Sequence, residues 1–110
     1  MFEGIVGGVF RIPTVSTVPL YRAFSPTVIE HYYTTSQEKM DNAITRWGFD
    51  DQGTAAYVYA TQVCGSIPLY SAWNEQEFDT LYTTNKTELD NALQNGYVDE
   101  GITCYVLPRP

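Results

Sequence analysis

The sequence predicts an α+β fold in a single compact domain, with two strand-strand-strand-helix repeats related by a pseudo-twofold axis and a closing C-terminal strand. The main observation is that the chain matches itself at an offset of 49 residues. Residues 18–21 (Val-Pro-Leu-Tyr) match 67–70 (Ile-Pro-Leu-Tyr), and the Tyr-Thr-Thr of 33–35 recurs at 82–84. Since repeats fold as supersecondary units, each copy is expected to be one such unit.

Each predicted unit opens with a glycine and a β-prone run, as from Gly53 to Tyr59. The same pattern follows Gly4 near the N-terminus and Gly101 near the C-terminus. We therefore expect strand edges at both ends that pair with interior strands and close the domain. The predicted boundaries are repeats at 3–51 and 52–99 and a terminal strand at 100–108, within one domain of residues 1–110.

Two short strands are predicted after each Gly-led strand. The first runs from Val18 to Phe24 and from Ile67 to Trp73. Its second residue is proline, which has no N–H for a ladder and so favours a sheet edge or a strand start. The next strand, His31 to Thr34 and Thr80 to Thr83, is predicted to form a hairpin with it.

A helix is predicted to end each unit. Thr35 and Glu38 have the spacing of a capping box, and Asn85 and Glu88 repeat it one position later. Residues 85–87 also form an N-glycosylation triplet. Since such triplets arise by chance and Asn85 already suits a helix cap, we interpret this asparagine as structural.

The first predicted helix carries one apolar stripe at helical spacing. Its members are Met40, Ala43, Ile44 and Trp47. Leu89, Ala92 and Leu93 trace the same stripe in the second copy, and Gly48 and Gly96 suit C-terminal caps with positive φ. Because a helix of about ten residues does not stand alone in water, the whole stripe, Trp47 included, is expected to pack on the sheet.

Composition narrows the class of partner. A formal net charge of −7 argues against nucleic acid and anionic membranes, which require a basic face. Aromatic residues make up 15% of the chain, with nine tyrosines, which suits a β-rich core or a recognition surface. No run approaches the length of a membrane span. The start of the chain lacks signal-peptide features, so the expected location is the cytoplasm or, for a mature form without its leader, outside the cell.

Catalytic and metal chemistry find little support in the residue pattern. His31 is the single histidine, and a hydrolytic triad also needs a nearby nucleophile and an orienting acid. Glu30 and Asp79 hold equivalent positions and raise the alternative of a glycosidase carboxylate pair. Repeated acids are more often a repeated turn or cap device. No metal-ligand spacing or phosphate-binding loop occurs, so we predict a non-enzymatic protein without metal or cofactor.

The two cysteines allow two interpretations. Cys104 aligns with Ala56 and Gly7, so it suits a small buried hydrophobic position. Alternatively, a bridge between Cys64 and Cys104 would close a loop of about 40 residues and stabilise the fold by roughly 3–4 kcal/mol.

The combined motifs resemble a repeat family of unknown function. They comprise Val18-Pro19-Leu20-Tyr21-Arg22, Glu30 to Thr35, Cys64 to Tyr70 and Gly101 to Val106. The family is found in fungal proteins and at the ends of secreted bacterial hydrolases. The resemblance implies an extracellular accessory or stand-alone module, without established functional residues. The second copy departs from the pattern, with Ser71 in place of Arg22 and Thr80 in place of His31.

Recognition remains the favoured activity. Sugar binding needs an aromatic ring for the pyranose face and a few amide or carboxylate groups for the hydroxyls. The hairpin ends of the two units supply the candidate ligand-binding residues Arg22, Phe24, Glu30, His31, Trp73, Asn74 and Asp79. We predict a lectin-like protein that binds glycans in shallow sites. The alternatives are a protein-binding effector, such as a protease inhibitor or defence protein, and a purely structural accessory module.

Overall fold

Six strands and two helices make up the described part of the chain in the computed structural model, which covers residues 9–11, 13, 15–63, 65–77 and 79–108. In chain order they are β1 (Thr17–Ser25), β2 (Glu30–Thr34), α1 (Gln37–Arg46), β3 (Asp50–Tyr59), β4 (Ile67–Asn74), β5 (Asp79–Thr83), α2 (Lys86–Leu93) and β6 (Val98–Val106). Together they form a compact, strand-dominated α+β domain. Across these ranges neither helix has the length and apolar character needed to span a membrane.

All six strands belong to one antiparallel sheet with the order β2-β1-β3-β6-β4-β5. The predicted hairpins β1–β2 and β4–β5 are confirmed, and each lies at one end of this order. At the centre, β3 and β6 meet where Tyr59 lies opposite Tyr105. The Gly-led strands β3 and β6 thus occupy the middle of the sheet, and β2 and β5 are its edges.

The two strand prolines lie where their strands have one neighbour. Pro19 pairs with Tyr57 of β3, whereas β2 covers only residues 21–25 of β1. Pro68 pairs with Tyr105 of β6, and β5 covers only residues 70–74 of β4. The strand-start interpretation is therefore confirmed. The sheet-edge alternative is wrong, because β1 and β4 are interior strands.

The sheet curls until its two edges touch. The backbone N–H of Tyr33 in β2 donates to the Tyr82 hydroxyl of β5 at 2.9 Å. The two rings also meet edge to face, with centroids 5.3 Å apart. A side chain thus joins strands that lie at opposite ends of the strand order, and the curl creates a concave and a convex face.

The main apolar core lies on the concave face. Strands from the whole sheet contribute to one buried cluster of Leu20, Tyr33, Val58, Leu69, Cys104 and Val106. Tyr82 packs against the cluster from β5. Only side chains that converge inside the curl can meet from so many strands.

The helices cover the convex face on both flanks. Ala23 in β1 and Ala72 in β4 are both 0% exposed although neither belongs to the concave cluster. α1 contacts β1 and β2, and α2 contacts β4 and β5. Met40 and Leu89 are each 2% exposed, so the helical stripes are the surfaces that bury this side of the sheet.

The helix caps explain the repeated Tyr-Thr-Thr segment. The buried hydroxyl of Thr34 accepts a hydrogen bond from the backbone N–H of Ser36 at 3.1 Å, and Thr83 does the same for Asn85 at 3.0 Å. Asn85 caps α2 as predicted, since its Oδ1 accepts from the Glu88 N–H at 3.1 Å. The predicted cap at Thr35 is wrong by one residue. Ser36 caps α1, since its Oγ accepts from the Lys39 N–H at 3.2 Å.

Replacing Asn85 with alanine is expected to lower the free energy of unfolding by about 1 kcal/mol, because the Glu88 N–H loses its acceptor. Chemical denaturation measures this change. Thr87→Ala is the matched control, since it removes the glycosylation triplet and leaves the cap in place. An equal loss in both variants would contradict a capping role for Asn85.

The prediction that Trp47 packs in the core is wrong. Met40 and Ala43 are buried, but Trp47 is 71% exposed. Trp47 is the C-cap residue of α1 with φ −107°, so its side chain leaves the stripe where the helix ends. Gly48 and Gly96 do adopt positive φ, at 75° and 94°, as predicted for residues after a helix.

Two predictions fall partly outside the described residues. Cys104 is 1% exposed, as expected of a small buried residue, and burial raises the pKa of its thiol group to about 12. Cys64 is not described, so the Cys64–Cys104 bridge stays a prediction. Most of the N-terminal Gly-led strand is also outside the described part, although Phe10 forms a bridge with Tyr57 of β3.

Candidate functional site

The seven predicted ligand-binding residues divide between the two faces of the sheet. Strand register and ring contacts put four of them on the concave face, namely Arg22, Phe24, His31 and Trp73. The remaining three, Glu30, Asn74 and Asp79, alternate with them along the strands and belong to the convex side.

A row of rings lines the end of the concave face in β1 and β2. Phe24 lies directly opposite His31, and their ring centroids are 4.9 Å apart. His31 in turn stacks on Tyr33, with centroids at 6.3 Å and an interplanar angle of 26°. Because Tyr33 belongs to the core, the row runs from the apolar cluster to the exposed imidazole of His31.

Strands β4 and β5 contribute a second aromatic at the same end of the molecule. The half-buried Trp73 pairs with Thr80, and Ser71 pairs with Tyr82 of the core. β2 and β5 contact each other, and the Glu30 carboxyl group interacts with the Thr80 backbone, so the first residues of the two strands are neighbours. Phe24, His31, Trp73 and Thr80 therefore form one set, which we call the rim.

The convex side carries a pair of acids at the junction of β2 and β5. The side chains of Glu30 and Asp79 interact with each other, and we call them the carboxyl pair. Two carboxylates at a shared site repel each other, which favours retention of a proton by one of them. Partial burial, followed by the charge of Asp79, raises the pKa of Glu30 from 4.5 to about 7. One proton is therefore retained far above the usual range of glutamate.

Tyr97 makes the carboxyl pair asymmetric. Its hydroxyl donates to Asp79 Oδ2 at 2.5 Å, and this hydrogen bond is the main reason that the pKa of Tyr97 is raised to about 12. Phe49, which follows α1 as Tyr97 follows α2, has no hydroxyl and packs edge to face on Tyr32. The Tyr97 hydroxyl thus contacts Asp79, whereas Glu30 is the member of the pair whose pKa is raised.

The glycosidase alternative draws on Glu30 and Asp79, and a wider catalytic set would add His31. The His31 side chain is on the opposite face, so the three groups do not share one cleft.

Asn74 supports the fold around this site. It is 7% exposed, and its Oδ1 accepts from the Glu77 N–H of the β4–β5 turn at 3.1 Å. This contact is a local Asx-type device that shapes the hairpin. The structure therefore assigns Asn74 a role in the turn beside the rim.

Sequence comparison identifies the family. A family described as "Domain of unknown function (DUF5648)" matches residues 1–107. The chain belongs to the DUF5648 family. Comparisons with curated proteins and with solved structures find no match.

Two features of this DUF5648 chain escaped the sequence analysis. Tyr97 was not a candidate, although it aligns with Phe49 in the two copies and that difference marks a gained hydroxyl. Ile29, which precedes Glu30, has φ 54° and is 73% exposed. A β-branched residue rarely adopts this conformation. No sequence signal at Ile29 indicated it.

No set of three or more metal-ligating side chains comes together within the described ranges of the DUF5648 chain. The chemistry that its described residues offer at the rim is therefore an aromatic surface flanked by a cation. That combination suits binding of a polar molecule that also has an apolar face.

Proposed function

We propose that this protein is a lectin-like, non-enzymatic binding protein that recognises carbohydrate at the rim. The observation that carries the proposal is the gathering of Phe24, His31 and Trp73 at one end of the concave face. A pyranose ring presents an apolar C–H face that packs on aromatic rings. Its hydroxyls bind the polar groups beside them.

The surroundings of the rim support this proposal. The Phe24–His31–Tyr33 row is anchored in the core at Tyr33, so ordering the rings on binding costs little conformational entropy. Ile29 adds an exposed apolar side chain in a strained turn close by. Backbone strain of this kind concentrates at functional sites.

The same proposal includes the two-unit arrangement. The strand-strand-helix-strand order occurs twice, and the Thr34–Ser36 hydrogen bond recurs 49 residues later as Thr83–Asn85. We infer two units about a pseudo-twofold axis between β2 and β5, acting as an extracellular accessory or stand-alone module. Since Ser71 and Thr80 replace Arg22 and His31, the two units contribute unequally to one site.

Screening the purified protein on a glycan array tests the proposal, followed by titration calorimetry with each sugar that binds. The expected result is saturable binding to a subset of glycans that free sugar competes away. A blank array with protein shown to be folded by circular dichroism would overturn the proposal. Affinity capture of protein partners would then test the effector alternative.

Trp73→Ala is expected to weaken sugar binding at least about tenfold, because it removes the largest aromatic surface of the rim. Calorimetry measures the change in Kd. Trp47→Ala is the matched control, since Trp47 is 71% exposed on the convex side at the end of α1. If only the Trp47 variant lost sugar binding, the binding site could not be the rim.

His31→Ala is a second test variant, and its stability should not depend on core packing. His31 is exposed, so its removal is expected to change stability little while weakening binding. Unchanged affinity in both the His31 and Trp73 variants would contradict a binding role for the rim.

A further inference from the structure

Arg22 is a cation on the concave face without a partner among the described residues. It follows Leu20 of the core along β1 and lies opposite Tyr33. Its Nε atom is buried and has no hydrogen-bond partner. The side chain as a whole is half-buried, so the end of the guanidinium group remains within reach of solvent.

Such an arrangement is unusual for a structural arginine. Buried donors are nearly always hydrogen-bonded, and a buried charge is normally paired with an opposite charge. The acids nearest in the sheet register are Asp51 and Asp50 of β3 and Glu30 of β2, and none of them supplies this pairing. Asp50 and Asp51 are exposed at the start of β3, where Asp51 accepts from the Gly53 N–H, and Glu30 belongs to the convex side. The unmet hydrogen-bonding capacity of Arg22 is therefore available to a ligand.

The position that corresponds to Arg22 in the second unit holds a serine, so only the first unit offers a cation to a ligand. Ser71 is 8% exposed and pairs with Tyr82, as Arg22 pairs with Tyr33. A serine in place of a second arginine avoids two like charges inside the same curl. Among the described residues, positions 22 and 71 thus place a single cation, Arg22, beside the aromatic rings of the rim.

We propose that the preferred ligand is an acidic sugar whose carboxylate pairs with Arg22 while its pyranose face packs on the rim. This inference rests on the proposed carbohydrate binding and names the class of sugar. The planar guanidinium group matches a carboxylate with two parallel hydrogen bonds. The net charge of −7 does not oppose it at physiological salt, because charges more than about 8 Å away are largely screened.

Matched pairs of ligands test the proposal. Calorimetry compares methyl glucuronide with methyl glucoside, and methyl galacturonide with methyl galactoside. The wild-type protein is expected to bind at least one uronide ten times more tightly than its neutral partner. Arg22→Met, which keeps an apolar stem, is expected to abolish that preference. Arg22→Lys keeps the charge without the planar group, so its preference should be intermediate.

Lys39→Met is the matched control for loss of one positive charge, since Lys39 is exposed on α1. It is expected to leave the preference for uronides unchanged. The acidic-sugar proposal would be overturned if the wild type bound uronides and neutral sugars equally and Arg22→Met did not change either affinity. The proposal of carbohydrate binding at the rim would then still stand. Binding of neither class by the folded protein would overturn both. If Arg22→Met does not fold, the other two variants decide. The proposal would be contradicted if Arg22→Lys kept the full preference for uronides while Lys39→Met lost it.

Discussion

Truncation of Leu69 to alanine is expected to lower the free energy of unfolding by about 2–5 kcal/mol. Leu69 is 0% exposed, lies opposite Cys104 and belongs to the cluster on the concave face. The substitution removes buried methyl groups and leaves a cavity between strands that cannot collapse without distorting the curl. Small domains have total stabilities of about 5–15 kcal/mol, so this one side chain accounts for a large fraction. Urea denaturation measures the change.

Leu20→Ala is the companion experiment. Leu20 is also 0% exposed and holds the same place in β1 that Leu69 holds in β4. A loss of similar size is expected if the two units share the core equally. Ile102→Ala is the surface control, because Ile102 is 48% exposed in β6 and should cost far less. A loss below about 1 kcal/mol in both leucine variants would contradict a single core on the concave face.

The free energy of unfolding is expected to fall as the pH rises from about 4.5 to about 7, through Glu30. The pKa of this carboxyl group is raised in the folded protein, so the folded state holds a proton that the unfolded state has released. The stabilisation is complete below pH 4.5 and is lost above pH 7. Its size is roughly 1–2 kcal/mol after allowance for the screening of a partly solvated group. Thermal melts across this pH range measure it.

Glu30→Gln isolates the contribution of this residue. A glutamine side chain donates to Asp79 at every pH and cannot ionise. The variant is therefore expected to match the wild type near pH 4.5 and to exceed its stability near pH 8. Glu75→Gln is the control, because Glu75 is exposed in the β4–β5 turn and should leave the slope unchanged. Equal pH slopes in the wild type and Glu30→Gln would contradict a raised pKa of Glu30 in the folded protein.

Local structure was largely readable from the sequence. The Asn85 cap, the positive φ of Gly48 and Gly96 and the β1–β2 and β4–β5 hairpins all depend on interactions a few residues apart. Trp47 was misplaced because helical spacing assumes that the helix continues, whereas α1 ends at Arg46. The stripe itself was right for Met40, which packs against the sheet.

The candidate site was less predictable because it depends on the curl of the sheet. β2 and β5 lie at opposite ends of the strand order, and they meet through the hydrogen bond between Tyr33 and Tyr82. No local pattern indicates that Glu30 touches Asp79 there. Strand alternation did predict that Glu30 and His31 point to opposite faces, and the register confirms it.

The Tyr97 hydroxyl distinguishes two acids that the proposed two-unit arrangement would otherwise make equivalent. In the proposed two-unit arrangement Glu30 and Asp79 face each other across the axis, so in a symmetric dimer of one unit each acid would meet its own copy. Two identical carboxylates there would compete for one proton on equal terms. Joining both units in one chain allows the halves to diverge, and the Phe49–Tyr97 difference gives a hydroxyl to Asp79 alone. In that arrangement the Tyr97 hydroxyl makes the two acids inequivalent, which a symmetric dimer of one unit could not do.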